Sequence, residues 1–320
     1  MNLIVHHLRF TLRARTLVHF GPQAGAQLRG ALWGALQQFA CTDPRLRHDP
    51  EHTQHCPMCH LLALEDGRSA RGANPPRPFA IRPPLAERPQ QDRIFYPEDT
   101  FRVGVNLFGD AAALFPYVFQ AFQRMGEGGV GYGRGRFSIE HVEAYDPLSG
   151  QSTPLLRERH FLAMPGLPVT QEAVERAAQR LPTDTLRLRF LTPTQIKQRG
   201  KWITQPHFAA LIGRLLERCQ AIEQYYTTDR PTPRDVWRER YLALTAAAEQ
   251  VTLSQDRTRW VRVQSGSRRT GSRNAISGLV GEAVFSGDLA PFRVWLLWGQ
   301  SLHVGKNVVK GNGWYTVETP

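Results

Sequence analysis

Hydrophobic and polar positions alternate at the start of the chain. Residues 3–13, LIVHHLRFTLR, follow a partly period-two pattern and predict a strand, whereas Leu28, Leu32, Leu36 and Phe39 recur at helical spacing and predict an amphipathic helix over 24–39. The stretch 41–98 is irregular and rich in Pro, His, Arg and Cys. Turn residues dominate it, and Arg77-Pro-Phe-Ala-Ile-Arg-Pro-Pro is its best strand. A strand over 101–109, a helix over 112–125, a glycine cluster and the strand FSIEHVEAY complete the first half.

The second half repeats this order. Residues 184–196 set Leu186, Leu188 and Phe190 on one face of a strand and Arg187 and Arg189 on the other. Phe208, Leu211, Leu215, Ile222 and Tyr225 mark a long helix over 206–226, and a further helix starts at a proline in PRDVWRERYLALTAAAEQ. WVRVQS predicts a strand and LAPFRVWLLWGQSL a helix, after which a second glycine loop enters the strand WYTVE. Leu8-Arg-Phe-Thr parallels Leu188-Arg-Phe-Leu, and Gly133-Arg-Gly-Arg-Phe parallels Gly311-Asn-Gly-Trp-Tyr, as an internal duplication would leave them. The expected fold class is α+β, with tandem ferredoxin-like (RRM-like) β-α-β-β-α-β domains. The expected N-terminal domain is 1–150, with a Cys/His-rich insert around 41–98. The C-terminal domain is 184–320 and ends in the glycine-rich loop. Between them 151–183 is a linker region, near which Asp146-Pro-Leu-Ser-Gly and Pro165-Gly-Leu-Pro break the pattern.

Composition adds a partner. The 41% hydrophobic and 21% charged fractions are those of a globular protein, and no apolar run reaches the roughly 18–20 residues of a membrane span. The N-terminus alternates apolar and basic residues without the apolar core of a signal peptide, so a cytoplasmic protein with no membrane partner is expected. A net charge of +12 attracts polyanions, which makes nucleic acid the default partner over a merely solvated arginine surface. Of the 40 basic residues only Lys197, Lys201, Lys306 and Lys310 are lysine, and two of these lie in GQSLHVGKNVVKGNGWYTVE. Glycines there permit positive φ and close approach of backbone N–H groups to a phosphate. The loop precedes a strand, however, and lacks the Gly-x-x-x-x-Gly-Lys-Ser/Thr spacing of a nucleotide-binding loop, which argues against nucleotide hydrolysis.

Cysteine use points elsewhere. Four cysteines in a cytoplasmic chain argue against disulfides and allow a metal site. In CTDPRLRHDPEHTQHCPMCH, Cys56-x-x-Cys59 brings two thiolates to one ion, and Cys41 with one of His48, His52, His55 or His60 could complete a tetrahedral zinc site. Cys41, Cys56, Cys59 and His60 form the candidate set for a structural zinc, against free thiols in a loop. Cys219 falls on the apolar side of a helix and reads as core.

The stretch from Ser265 to Glu318 resembles the C-terminal half of the Cas6-type CRISPR RNA-processing endoribonucleases of the RAMP superfamily. The strings that carry the resemblance are Ser267-Arg-Arg, Gly278-Leu-Val-Gly281, Leu302-His-Val-Gly-Lys306 and Gly311-x-Gly313-x-Tyr315. In the first half Leu28-Arg-Gly-Ala-Leu32, Pro78-Phe-Ala-Ile-Arg-Pro-Pro84 and Gly131-Tyr-Gly-Arg-Gly-Arg-Phe137 are similar too. The resemblance implies tandem ferredoxin-like domains and metal-independent cleavage of CRISPR repeat RNA to mature crRNA. The 2′-hydroxyl attacks the adjacent phosphodiester and leaves 2′,3′-cyclic phosphate and 5′-hydroxyl ends, with no catalytic cofactor.

Such chemistry needs a base, an acid and a cation for the phosphorane charge. His303 could serve as base or acid, because an unperturbed imidazole titrates around 6.5, and Lys306 lies three residues away. The family often supplies a histidine near the first helix. That helix has none here, and His19, just before it, is the nearest substitute, with Tyr132 a weaker candidate. Lys310 and the backbone of Gly305, Gly311 and Gly313 could hold flanking phosphates. Arg268, Arg269 and Arg273 could grip RNA with fork-shaped guanidiniums, and Arg134 and Arg136 could reach it across the domain cleft. Other CRISPR effector subunits are further expected partners. The alternative function is a non-catalytic crRNA-binding RAMP subunit of an effector complex. A zinc hydrolase has no HExxH-like motif to support it.

Overall fold

The computed structural model describes residues 1–43, 45–46, 49–62, 75–88, 90–157, 160–161, 163–227, 229–266 and 273–320. Its first unit is an antiparallel sheet of β1 (Val5–Ala14), β2 (Phe79–Arg82), β3 (Thr100–Phe108) and β4 (Phe137–Tyr145), with α1 (Ala24–Phe39) and α2 (Phe115–Gly128). The strand order is β2-β3-β1-β4, extended at the β4 edge by the short strand Ser152–Pro154. The second unit repeats it with β5 (Thr185–Thr194), β6 (Thr252–Val261), β7 (Gly278–Ser286) and β8 (Tyr315–Glu318) in the order β6-β7-β5-β8. Here α3 (Phe208–Tyr226) and α5 (Arg293–Leu302) take the places of α1 and α2, and α4 (Arg234–Ala248) packs on α3. Both units are ferredoxin-like. The paralleled strings fall at equivalent places: Leu8 and Phe10 lie on the inner strand β1, Leu188 and Phe190 on the inner strand β5.

Alternation explains the inner strands. On β1, Leu8, Phe10 and Leu12 point to a core that α1 fills with Leu28, Leu32 and Leu36, and Phe10 stacks on Phe122 at 4.0 Å between ring centroids. Removing one such buried leucine side chain would cost about 2–5 kcal/mol. In the second core Leu188 and Leu215 meet Trp298 and Tyr315, and the Tyr315 hydroxyl donates to the Leu296 carbonyl at 2.8 Å. Leu3, Val5, Ala80 and Phe108 of the first unit join this second cluster, so the two units share apolar contact.

One strand begins well before the pattern predicts it, and its neighbour shows no pattern at all. WVRVQS predicts a strand over 260–265, but the strand runs Thr252–Val261 with nearly every side chain up to Arg259 exposed, so it has no apolar face to detect. Beside it β7, GLVGEAVFS, is mostly buried and shows no alternation. The linker region 151–183 also contributes structure. Besides the strand Ser152–Pro154 it holds a helix, Gln171–Ala178, which packs on α5 and whose Gln171 accepts a hydrogen bond from Trp298 Nε1 at 2.9 Å.

The end of α5 fixes how the units meet. The last carbonyls of a helix lack intrahelical donors. Here Arg82 donates to Gln300 O at 3.2 Å, Asn106 Nδ2 to Ser301 O at 2.7 Å, and Arg218 Nε to Leu302 O at 2.7 Å. Two of these donors belong to the first unit. Both guanidiniums are buried, which lowers each to about 10, and the negative end of the helix dipole favours cations at this place.

Candidate active site and metal centre

His303 follows α5 directly, with φ at 60°. The residue is completely buried, which its place in a glycine-rich stretch of sequence does not reveal. Its Nδ1 donates to Asn312 O at 3.2 Å, its ring lies parallel to Trp314 at 6.2 Å, and its Nε2 has no partner among the described residues. Burial first, then repulsion from Arg82 and Arg218, pushes its pKa well below the ordinary value. His7 lies nearby, equally buried and similarly lowered, with Nε2 3.0 Å from Ser301 Oγ. The buried imidazole packs where the end of α5 meets the glycine-rich loop.

His19 is placed quite differently. It sits on a short strand, Val18–Phe20, that pairs with Arg93–Phe95 and bridges Tyr132 through a Tyr132 N to His19 O bond of 2.7 Å. Its side chain is 30% exposed, and Nε2 stands 2.6 Å from Asp92 Oδ2. The Tyr132 ring meets the imidazole edge-on at 5.0 Å, and its hydroxyl accepts from Gln23 Nε2 at 2.6 Å. Arg93 donates to Gly21 O at 3.1 Å, which ties this ribbon to the start of α1. Asp92 and Arg93 lie 73 and 74 positions from His19, so the sequence does not link them to it, and Gln23, four positions after it, belongs to no recognisable motif.

The glycine-rich loop packs against the same helix start. At Gly25 a Cβ would lie 2.1 Å from the Lys310 carbonyl, so only glycine allows α1 to approach the loop this closely. Pro22, Gln23, Arg93, Lys310, Gly311 and Asn312 help to line the cleft between the units. Burial, with Arg29 and Lys306, lowers the Lys310 ammonium. The loop's N–H groups are largely committed inside the protein. Gly311 N donates to Val308 O and Gly313 N to Pro193 O, so neither is free for the phosphate contact expected of it. Gly313 is needed for another reason: at φ 74° a Cβ would sit 1.9 Å from Val304 O. Gly305 is half-buried beside Gln195 O, and Lys306 turns its ammonium toward Trp202, 5.4 Å from the ring centre.

The arginines fall into two groups. Arg134 and Arg136 are exposed on the turn that carries Tyr132, and Arg134 Nε donates to Gly128 O at 2.9 Å. Arg268 and Arg269 lie outside the described residues. Arg273 begins a short strand, Arg273–Ala275, that pairs with Gln264–Gly266.

The cysteine cluster forms, with one change of ligand. Asp49 caps the short helix Pro50–His55 by accepting from Glu51 N and His52 N, and this aims His52 at the thiols. Pro57 opens the next helix, Pro57–Leu62, whose Met58, Leu61 and Leu62 are buried in the first core. Ligand atoms of Cys41, His52, Cys56 and Cys59 all lie within 4.8 Å of one another. His52 therefore takes the place expected of His60, which instead packs edge-on to Tyr226 at 6.0 Å; His55 bonds the Glu51 carbonyl, and His48 lies outside the described residues. The donor set fits zinc. Zn–S bonds of about 2.3 Å and Zn–N bonds of about 2.0–2.1 Å put tetrahedral ligand atoms about 3.5–3.8 Å apart. Cys41 Sγ is 3.9 Å from Cys59 Sγ, and His52 Nε2 is 3.6 Å from Cys41 Sγ and 3.5 Å from Cys59 Sγ. Burial and the thiols of Cys56 and Cys41 push Cys59 well up, a cost that a divalent cation would reverse.

A family model described as CRISPR-associated endoribonuclease Cas6 matches residues 188–315, and one described as an N-terminal domain matches residues 3–165. No curated protein matches the chain. A Cas6 (TTHB231) product complex superposes with a TM-score of 0.58 at 18% identity, covering 98% of this chain and 99% of that one. Thermus thermophilus Cas6 (TTHB231) gives 0.55 at 16% identity, over 99% and 100%. A partial Cas6-RT-Cas1–Cas2 complex gives 0.59 at 12% identity, over 99% of this chain and 46% of that one. The tandem fold is shared along the chain, and the Cas6 model runs from within β5 through the glycine-rich loop to the start of β8, so the C-terminal unit belongs to the Cas6 family of CRISPR-associated endoribonucleases.

Proposed function

We propose that the protein matures CRISPR repeat RNA by metal-independent cleavage where the start of α1 meets the glycine-rich loop. The 2′-oxygen bonds to the adjacent phosphorus, the P–O5′ bond breaks, and a 2′,3′-cyclic phosphate and a 5′-hydroxyl remain. One group must take the 2′-hydroxyl proton and another must protonate O5′. His19 is the base: with Nε2–H donated to Asp92, its Nδ1 lone pair is free for that proton. The Tyr132 hydroxyl, whose oxygen accepts from Gln23, donates to O5′. Lys310 and Arg93 offset the charge that develops on the phosphorane. The observation that carries this reading is the accessible His19–Asp92 pair beside a cleft, set against a fully buried His303.

Cys41, His52, Cys56 and Cys59 would hold a structural zinc that joins the insert to the first core, away from the reaction. Repeat RNA is the substrate, and other CRISPR proteins are partners. The test is cleavage of the repeat from the cognate array in EDTA, with the product ends identified by mass spectrometry. Cyclic-phosphate ends that vanish in His19→Ala support the reading. Cutting by His19→Ala at the wild-type rate would overturn the site, and repeat binding without any cleavage would make the protein a crRNA-binding subunit instead.

A further inference from the structure

Two of the four lysines in the chain reach one aromatic ring, and a third is its neighbour in sequence. Lys197 and Trp202 pair across a two-stranded ribbon, Lys197–Gln198 with Lys201–Trp202, whose turn is made by Arg199 and Gly200, both at positive φ. The Lys197 ammonium stands 4.5 Å from the Trp202 ring centre, and Lys306 reaches the same ring at 5.4 Å from the glycine-rich loop. Lys201 is exposed on the same strand as Trp202.

Packing does not account for this ring. Of the seven tryptophans Trp202 alone is exposed, at 37%, and it joins none of the apolar clusters among the described residues. The ribbon is nonetheless held firmly. Arg214 donates twice to the Lys197 carbonyl, at 3.2 and 3.1 Å, Ile203 N bonds Ile196 O at 3.1 Å, and Lys306 N bonds Gln195 O at 3.0 Å. Among the described residues none of the three lysines forms an ion pair with a carboxylate, and the nearby Glu217 is engaged by Arg214.

A fixed, exposed indole flanked by two flexible ammonium groups, with no carboxylate partner for either among the described residues, suits a ligand with both a flat π face and negative charge. An unpaired nucleotide has both. Its base stacks on the indole while the lysines leave the ring for the flanking phosphates, and base–aromatic stacking of this kind is indifferent to sequence. We infer that Trp202, with Lys197, Lys201 and Lys306, is a stacking platform for a single-stranded segment of the RNA. The glycine-rich loop joins it to the cleft: Lys310 at one end of the loop abuts α1, and Lys306 nearer the other end abuts Trp202. The inference rests on the RNA reading of the protein.

The test compares a labelled 12-nucleotide oligoadenylate with an abasic chain of equal length, using the full-length protein. Trp202→Ala should weaken oligoadenylate binding about 5- to 150-fold, the range given by roughly 1–3 kcal/mol per stacked base, and leave the abasic chain nearly unaffected. Trp202→Tyr should restore most of the loss. Alanine at Lys197, Lys201 and Lys306 together should flatten the log–log salt dependence by about 2 units, at roughly 0.7 per phosphate. Equal binding of oligoadenylate by wild type and Trp202→Ala would overturn the platform, whereas cleavage of repeat RNA by the wild type reports separately on the proposed activity. If the wild type bound neither oligoadenylate nor repeat RNA, both readings would fall.

Discussion

His19 Nε2 and Asp92 Oδ2 lie 2.6 Å apart although 73 positions separate them in the chain. A carboxylate in this position fixes the tautomer and aim of the imidazole. His19→Ala should slow single-turnover cleavage by about 10²- to 10⁴-fold, the usual worth of a positioned acid–base group, with repeat affinity little changed. Asp92→Asn should retain binding and lose less rate, because the ring is misdirected but present.

His303 answers to a different measurement. Its ring fills a buried site beside Trp314, so His303→Ala should lower unfolding free energy by about 1–3 kcal/mol, as loss of a buried, hydrogen-bonded side chain does. Cleavage per folded molecule should stay near wild type. A large rate loss in a variant with unchanged thermal stability would return His303 to the reaction itself.

The buried histidines also set an acid limit. Burial, with Arg82, holds His7 and His303 below their unfolded value of about 6.5. Below that pH the unfolded chain takes up protons that the folded chain refuses. Their contribution is therefore intact above about pH 6.5 and falls with further acidification, by at most about 1.4 kcal/mol per pH unit for each group. Urea midpoints measured from pH 7.5 to 5 should decline accordingly, and more weakly in His7→Gln.

Asn106 joins the units through the Ser301 carbonyl at 2.7 Å. Asn106→Ala leaves that buried carbonyl without its donor and should cost about 1–3 kcal/mol. Limited proteolysis between the units should speed up in parallel. Unchanged stability would mean that this contact does not hold the interface.

Metal analysis of protein purified without chelator should find about one zinc per chain, the content expected of a single four-ligand structural site. Cys59→Ser and His52→Ala should lose it, whereas His60→Ala should keep it. EDTA should lower thermal stability and leave the cleavage chemistry itself in place.

Much of this protein was legible in its sequence. Period-two runs at Leu8, Phe10 and Leu188, Phe190 marked the inner strands, because those strands bury alternate side chains. The two glycine-led fourth strands revealed the repeated topology, and the clustered cysteines stood out by spacing, since candidate chelating residues and helical turns both recur over a few positions. The strands β6 and β7 were obscure for the opposite reason: one has no buried face and the other has too little exposed to alternate. Tertiary structure alone decided which of the two candidate histidines is buried and which is accessible. Local sequence does not tell His303 from His19 in burial, yet Arg82, Asn106 and Arg218 hold the end of α5 in the interface beside the first, while Asp92 and Tyr132 converge on the second from remote segments. It also brought His52 rather than His60 to the cysteines, and it set Trp202 against Lys197 and Lys306. Burial and convergence depend on contacts between distant parts of the chain, and no local pattern of residues encodes them.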